Sequence, residues 1–249
     1  MLDLVICIVL PAYNEEKTLP PLLESIREVM AEEKLDYEVL VVDDGSSDGT
    51  AQVVRDFSQR MPVVLRQHPV NRGLPEAIKT GLFEAADRLE DRDIIITMDA
   101  DNTHSPGLIL RMIRLIREGS HVVIASRYRT GSRIRGLSRS REVLSLGANV
   151  LFRVFLPIEG VRDYSCGYRA YSVAIIKQAI SRYGAALTNE PGFSCMVDIL
   201  LKIRELQPIV TEVPLILRYD LKESASKMNV SRNVKETLSL LVRRTLGVP

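Results

Sequence analysis

Thiols are scarce in this chain of 249 residues: Cys7, Cys166 and Cys195 are all it has. Their number is odd and no pair has CxxC spacing. That argues against a disulfide framework or a zinc site and fits a reducing compartment. Long apolar runs are missing as well. The opening run, Leu4–Leu10, follows Asp3 and stops at Pro11; it is too short, and lacks the basic lead, for a signal peptide. Nothing approaches the ~20 apolar residues that span a bilayer, so the expectation is a cytoplasmic chain that does not itself cross a membrane. There is no excess charge of one sign: 33 Lys and Arg face 32 Asp and Glu, a net charge of +1. A general nucleic-acid binder would be far more basic. No GxGxxG follows the first apolar run, which speaks against a dinucleotide fingerprint. Internal repeats and low-complexity linkers are absent too.

What remains is ordinary soluble composition, 46% hydrophobic and 26% charged, enough to fill one large α/β core. Short apolar runs alternate with helical patterns. Strands are expected at Leu4–Leu10, Glu38–Val42, Met61–Arg66, Ile94–Met98 and Val122–Ala125. Helices are expected through Leu19–Met30, from about Ser47 to Phe57, through Leu74–Ala85 and through Ile109–Ile116, each on apolar residues at helical spacing. Repeated strand–helix units predict a mostly parallel, Rossmann-like sheet with helices on both faces. Beyond Ser126 the pattern changes. A polar stretch, 127–141, is followed by a mostly apolar helical run, Val143–Leu156, and a short strand at Tyr168–Tyr171. Helices are expected near Val173–Ser181 and Phe193–Arg204. A late strand, Ile209–Leu217, contains Pro214 and so belongs at an edge or a bulge. From Ser231 the tail reads as an amphipathic helix, which divides the chain into a domain over 1–230 and a helical extension over 231–249.

Two acidic strings stand where strands end. Asp43-Asp44-Gly45-Ser46-Ser47-Asp48-Gly49-Thr50 follows one apolar run and Asp99-Ala100-Asp101 follows another. In an open α/β sheet ligands sit beyond the carboxyl ends of the strands, so both strings should border one crevice. In an extended segment residues i and i+2 share a face, so Asp99 and Asp101 can aim two carboxylates at one point. Such a pair needs a cation between its charges. Mg²⁺ suits the place, because it takes one or two carboxylates and completes its shell with water and phosphate oxygens. The alternative for each string is a turn rich in turn formers, with Ser46, Ser47 and Asp48 as helix caps. Thr103 or His104 could complete the surroundings of the metal, although imidazole is not a favoured Mg²⁺ ligand.

The stretch 127–141 holds six arginines: Arg127, Arg129, Arg133, Arg135, Arg139 and Arg141. For most of them a solvated surface is the simpler reading. Arg127 differs, since it stands at a strand's carboxyl end, where a guanidinium fork matches phosphate oxygens. The surplus could touch anionic lipid heads, at ~1 kcal/mol each near such a surface. Val143–Leu156 reads either as a core helix or as an interfacial one with Arg153 snorkelling. The tail helix carries the same choice, with docking on a membrane-spanning partner as a third possibility. Asp163, Glu190 and Asp198 are further acidic candidates near the crevice, and Cys166 reads as a packed small residue.

Pro11-Ala12-Tyr13-Asn14-Glu15-Glu16, then DDGSSDGT, then Asp99-Ala100-Asp101 resemble the ordered motifs of the inverting family 2 glycosyltransferases of GT-A fold. Asn71-Arg72-Gly73-Leu74, Ser126-Arg127-Tyr128, Asp163-Tyr164-Ser165-Cys166-Gly167-Tyr168-Arg169 and Ser226-Lys227 are similar to its dolichol-phosphate mannosyltransferase and polyprenyl-phosphate branch. The series runs from residue 11 to about 230. The resemblance implies that Pro11, Tyr13, Glu15, Val42, Asp44, Asp99 and Ala100 hold the nucleotide sugar. It implies that Asp99 and Asp101 hold Mg²⁺ or Mn²⁺ and the diphosphate. Thr103 stands where some members carry a Gln that touches the metal. Arg127 and Arg141 match arginines that face the phosphates of donor and lipid acceptor. Arg218 and Lys227 match a late basic pair, here nine positions apart, wider than the family's RxxGxSK-like spacing.

The implied reaction is metal-dependent transfer of a hexose, with mannose from GDP-mannose as the family-weighted choice, to dolichyl or polyprenyl phosphate with inversion. It would take place at the cytoplasmic face of a membrane. A phosphate monoester is already anionic, so no strong base is needed, which suits a chain with three histidines. Other readings are a family 2 enzyme using UDP-glucose or another donor, or a soluble or protein acceptor, with Asp163 as a catalytic carboxylate. A nucleotidyltransferase and a nucleotide-sugar-binding scaffold without catalysis complete the set.

Overall fold

A computed structural model describes the backbone of residues 4–136, 139–218 and 230–246, and their side chains apart from 139–143 and 230–235. In chain order the elements begin β1 (Val5–Ala12), α1 (Leu19–Glu32), β2 (Asp36–Asp43), α2 (Thr50–Phe57), β3 (Val63–Gln67), α3 (Leu74–Arg88), β4 (Ile94–Thr97), α4 (Leu108–Arg117) and β5 (Val122–Ser126). They continue with β6 (Arg133–Arg135), α5 (Arg139–Phe155), β7 (Arg169–Ser172), α6 (Val173–Tyr183), α7 (Ser194–Arg204), β8 (Val210–Pro214), β9 (Ile216–Arg218) and α8 (Val230–Thr245).

Seven strands form one sheet in the order β3-β2-β1-β4-β7-β5-β8, flanked by helices. This is a GT-A-like α/β architecture. Ile6–Leu10, Val39–Val42, Ile94–Ile96 and Val122–Ala125 are completely buried, as unbroken apolar runs must be when a sheet is covered on both faces. β1 runs parallel to β2 and β4, β2 to β3, and β5 to β8. β7 alone is reversed, antiparallel to both β4 and β5. The strand expected at Tyr168–Tyr171 is therefore present, and its direction is what the pattern of a short run could not supply.

That reversal positions the site. β4 and β5 are each antiparallel to β7 and therefore point the same way, so the loops after β1, β2, β4 and β5 all leave from one edge. An antiparallel strand enters where its neighbours leave, so the loop before β7, carrying Asp163 to Tyr168, arrives at that same edge. The chain order also reverses between β1 and β4, the place where such sheets open a crevice.

The late strand breaks at its proline. β8 is an edge strand and ends at Pro214; after Leu215 the chain switches to β9, which pairs in parallel with β6 inside the arginine stretch. The segment 127–141 is thus not only a solvated loop. The amide of Arg218, at the end of β9, donates to the Thr103 carbonyl at 3.0 Å, and His104 bridges Leu217.

The two readings of the Val143–Leu156 run each describe part of α5. Asn149 and Phe152 are buried, whereas Leu144, Leu146, Val150, Val154 and Phe155 stand exposed. α8 packs on α5 and α7, burying Leu240 and Leu241 and leaving Leu238 and Val242 outside. Among the described residues no helix is long and apolar enough to cross a membrane.

Candidate active site at the carboxyl edge of the sheet

The loops after β1 and β2 are stitched to each other. Asn14, at φ +52°, accepts from the Ser47 amide at 2.8 Å, and its own amide donates to Ser46 Oγ at 2.9 Å. The Glu15 amide donates to Thr50 Oγ1 at 2.8 Å, and Glu16 accepts from the Gly49 amide at 3.0 Å. Asp48 takes the Thr50 amide at 3.0 Å. Most polar residues of both strings thus hold loop to loop, which leaves Tyr13, 37% exposed, as the large side chain the loop after β1 presents outward. Pro11 and Val42 pair across β1 and β2. Val42 is wholly buried and pairs on its other side with β3, so it lies beneath the surface of the crevice.

The Asp44 carboxylate closes onto the loop before α3. It accepts from the amides of Arg72 and Gly73 at 2.9 and 2.7 Å and lies 2.7 Å from His68 Nδ1. His68, whose Nε2 meets Thr80 Oγ1 at 3.0 Å, was missed in the sequence because no spacing links it to Asp44. Asp43 takes the Ser46 amide and Gln67 Nε2, each at 3.0 Å. Between the loops lies Gly45, at φ +69°, where a Cβ would fall 2.4 Å from the carbonyl carbon of Val70. No larger residue fits there. The Asp43–Thr50 string and the Asn71–Leu74 string are therefore one folded unit.

β4 ends at Thr97 and a turn runs through Ala100 and Asp101. Asp99 and Asp101 therefore do not share the face of a strand; a turn carries the two carboxylates instead. Its geometry is fixed on each side. Asn102 adopts φ +61°. The Thr103 hydroxyl donates to Asp101 Oδ1 at 2.7 Å, and its amide approaches the same oxygen at 3.2 Å. Thr103 is 2% exposed and packs under the turn, bonded to Asp101. The Asp99 amide donates to His104 Nδ1 at 3.3 Å, and the His104 ring stacks on Tyr168 at 5.0 Å. The loop before β7 lies against this turn: the Cβ position of Gly167 is 3.5 Å from Asp99 Oδ1, an ordinary contact distance. Both aspartates are partly exposed while Ala100 between them is buried. Two hard carboxylate oxygens at a solvent-open turn fit Mg²⁺ or Mn²⁺ that draws its remaining ligands from phosphate and water. Among the described residues no third acidic, His or Cys side chain completes a cage.

Arg127 follows β5 and meets Asp163 in a bidentate fork. Nε to Oδ2 is 2.8 Å and Nη2 to Oδ1 is 2.7 Å, with Ser165 Oγ 2.7 Å from Nη2. The Asp163 carboxylate is fully buried and the Arg127 side chain is 16% exposed. Burial alone would discharge both groups. Their mutual charge and hydrogen bonds win, lowering the Asp163 pKa and raising that of Arg127, so the pair remains ionic. Asp163 is thereby the anchor of Arg127, with neither carboxylate oxygen exposed to the crevice.

Glu190 and Asp198 do not open onto the crevice as acids. Glu190 receives both bonds of Arg243 at 2.7 and 2.8 Å, and Asp198 is buried between Lys202 and Arg244. Both anchor α8. Cys166 is buried, with its thiol pKa pushed up to about 12 by desolvation, as a packed small residue would be. Arg141 lies in α5 with its side chain outside the described residues, and Lys227 lies outside them altogether.

Comparison with known proteins gives this arrangement a family context. The profile described as Glycosyl transferase family 2 matches residues 7–180. The dolichol-phosphate mannosyltransferase of Pyrococcus furiosus is 31% identical over 210 residues, 84% of this chain, and the chain spans 55% of that protein's length. The polyprenol monophosphomannose synthase of Mycolicibacterium smegmatis is 28% identical over 235 residues, 93% of this chain and 83% of that one. Among solved structures, a glucosyl-3-phosphoglycerate synthase from Mycobacterium tuberculosis, crystallised with Mn²⁺, UDP and phosphoglyceric acid, is similar with a TM-score of 0.66. The match covers 99% of this chain and 80% of that one at 20% identity, a likeness of fold.

Proposed function

The chain belongs to glycosyl transferase family 2, and from that premise we propose that it transfers a hexose, mannose from GDP-mannose, to a dolichyl or polyprenyl phosphate with inversion. The names of the two relatives support the sugar and the acceptor. The observation that carries the reading is local: a carboxylate turn for a diphosphate and an anchored arginine leave the same edge of one sheet.

Each group in the proposal has a task. Asp101, steadied by Thr103, and Asp99 would hold Mg²⁺ or Mn²⁺, which neutralises charge on the departing diphosphate. Tyr13 and the stitched loops after β1 and β2 bound the nucleotide, with Pro11, Glu15, Val42, Asp44 and Ala100 shaping its bed. Asp163 fixes Arg127 through Nε and Nη2, and Nη1 is assigned to the acceptor phosphate. Arg141, Arg218 and Lys227 are assigned to phosphates as well; the backbone bond from Arg218 to Thr103 brings β9 beside the carboxylate turn. The acceptor oxygen is anionic at neutral pH, so positioning and charge neutralisation carry the reaction without a strong general base. A lipid acceptor also calls for a membrane surface, and the exposed apolar side of α5, with Leu146, Val150 and Val154, is assigned to the cytoplasmic face of one.

The test is transfer of labelled sugar from GDP-mannose, with UDP-glucose in parallel, into organic-extractable polyprenyl phosphate with and without EDTA. Metal-dependent label from GDP-mannose is expected. Label from UDP-glucose alone overturns the donor assignment, and turnover only with soluble acceptors overturns the lipid.

A further inference from the structure

The chain after α5 borders a solvent-open surface hollow of about 350 Å³ lined by the exposed Arg129, Arg153 and Arg162. Among the described residues these three guanidinium groups make no ion pair and no hydrogen bond, and no acidic residue lines the hollow. Three like charges around one cavity are mutually unfavourable until an anion enters, and the guanidinium fork matches phosphate oxygens. We propose that this hollow binds the phosphate of an anionic lipid headgroup.

The wall is built before any ligand arrives. Tyr164 Oη accepts from the Ile158 amide at 3.0 Å and donates to the Leu156 carbonyl at 3.1 Å. The Arg162 amide donates to Glu212 Oε1 at 2.6 Å. Gly160 adopts φ +79°, with the Val210 carbonyl oxygen 2.6 Å from where a Cβ would stand. The volume exceeds that of a lone phosphate and lies in the range of small-ligand sites.

The surroundings select a lipid over a soluble sugar phosphate. Apart from the arginines the lining is Pro157, Ile158, Gly160, Val161 and Tyr164, whose hydroxyl is already bonded, so no acidic or amide side chain is there to take sugar hydroxyls. Val154 and Phe155, 66% and 53% exposed, follow Arg153 directly. Charge and exposed apolar surface thus adjoin, the pairing an amphiphile requires. The hollow is also separate from the proposed acceptor site. Arg162 and Tyr164 line it, while Asp163 between them turns its carboxylate to Arg127.

The experiment is co-sedimentation of the full chain with vesicles of phosphatidylcholine, with or without about a third phosphatidylglycerol. The variant is Arg129→Gln/Arg153→Gln/Arg162→Gln. A charge-matched control on α4 is Arg111→Gln/Arg114→Gln/Arg117→Gln, and inorganic phosphate is titrated calorimetrically alongside. The wild type should prefer anionic vesicles, and the hollow variant should lose roughly a hundredfold of that affinity, the effect of three basic contacts, while the control loses little. Equal losses in both variants overturn the site, as does no loss in the hollow variant. Phosphate binding without preference for anionic vesicles overturns the lipid. Should the triple variant lose its circular-dichroism spectrum, Arg153→Glu alone carries the same comparison. No donor or acceptor is present, so failure here leaves the transferase reading untouched.

Discussion

Arg127 and Asp163 stand 36 positions apart in the chain and make one device. Each is legible in the sequence by itself, the arginine at a strand end and the acid in a motif. Their partnership is not, because it depends on β7 running backwards. Removing one charge strands the other in a buried site, so Asp163→Ala is expected to cost about 3–5 kcal/mol of stability, read by urea denaturation. The sign of the pH dependence follows from the lowered Asp163 pKa. A carboxyl whose folded pKa is depressed contributes stability above its unfolded value and loses it as pH falls through the folded one. The gap in stability between wild type and Asp163→Asn should therefore be widest near neutrality and narrow progressively as pH falls below the ordinary carboxylate range. The milder Arg127→Lys keeps the charge and loses the fork; it should raise the acceptor KM more than it changes donor affinity. An unchanged acceptor KM would remove Arg127 from that role. At Cys7, Cys166 and Cys195 burial pushes each thiol up to about 12. Native protein should give no thiol signal with Ellman's reagent at neutral pH, and denatured protein all three.

Elements were most legible where burial on both faces makes a strand an unbroken apolar run, as in β1, β2, β4 and β5. They were least legible where tertiary pairing decides. β6 is a three-residue strand of Arg, Ile and Arg, whose pattern has no strand signal; it exists because β9 crosses beside it. Pro214 did carry information, since a residue without an amide proton marks the edge where β8 stops. Helix α3 shows packing overriding propensity. Ala in place of Gly inside a helix ordinarily gains about 1 kcal/mol. At Gly81 the new Cβ would fall 2.3 Å from Val9 Cγ1 and 3.4 Å from Val42 Cγ2. Gly81→Ala is expected to lose roughly 1–2 kcal/mol through overpacking, and a gain in denaturation midpoint would contradict the close approach of α3 to β1. Helix α8 is held by charge as well as by Leu240 and Leu241. Arg244→Ala leaves the buried Asp198 carboxylate with Lys202 and the Asn189 amide, so a lower melting temperature is expected; an unchanged one would mean that the α8 contact contributes little.

At the scale of the molecule, a parallel sheet gathers the loops after β1, β2, β4 and β5 at one edge, and the reversed β7 adds the Asp163 loop to them. The sequence motifs mark that edge well because turn residues and carboxylates must appear where strands end. They mark the division of labour poorly. Asp44, Thr103, Glu190 and Asp198 all read as candidates for ligand contact, yet each is engaged by neighbouring protein groups, since an acid or hydroxyl that positions a loop is the same residue type as one that binds a substrate. Inverting sugar transfer at this crevice would fix the stereochemistry of the product. The most direct measurement is the anomeric configuration of the lipid-linked product, read by NMR after reaction with GDP-mannose, in which the sugar is α-linked. A β-linked hexosyl phosphate on the polyprenol is the predicted result. An α-linked product, or sugar released to water with none on the lipid, would contradict the account.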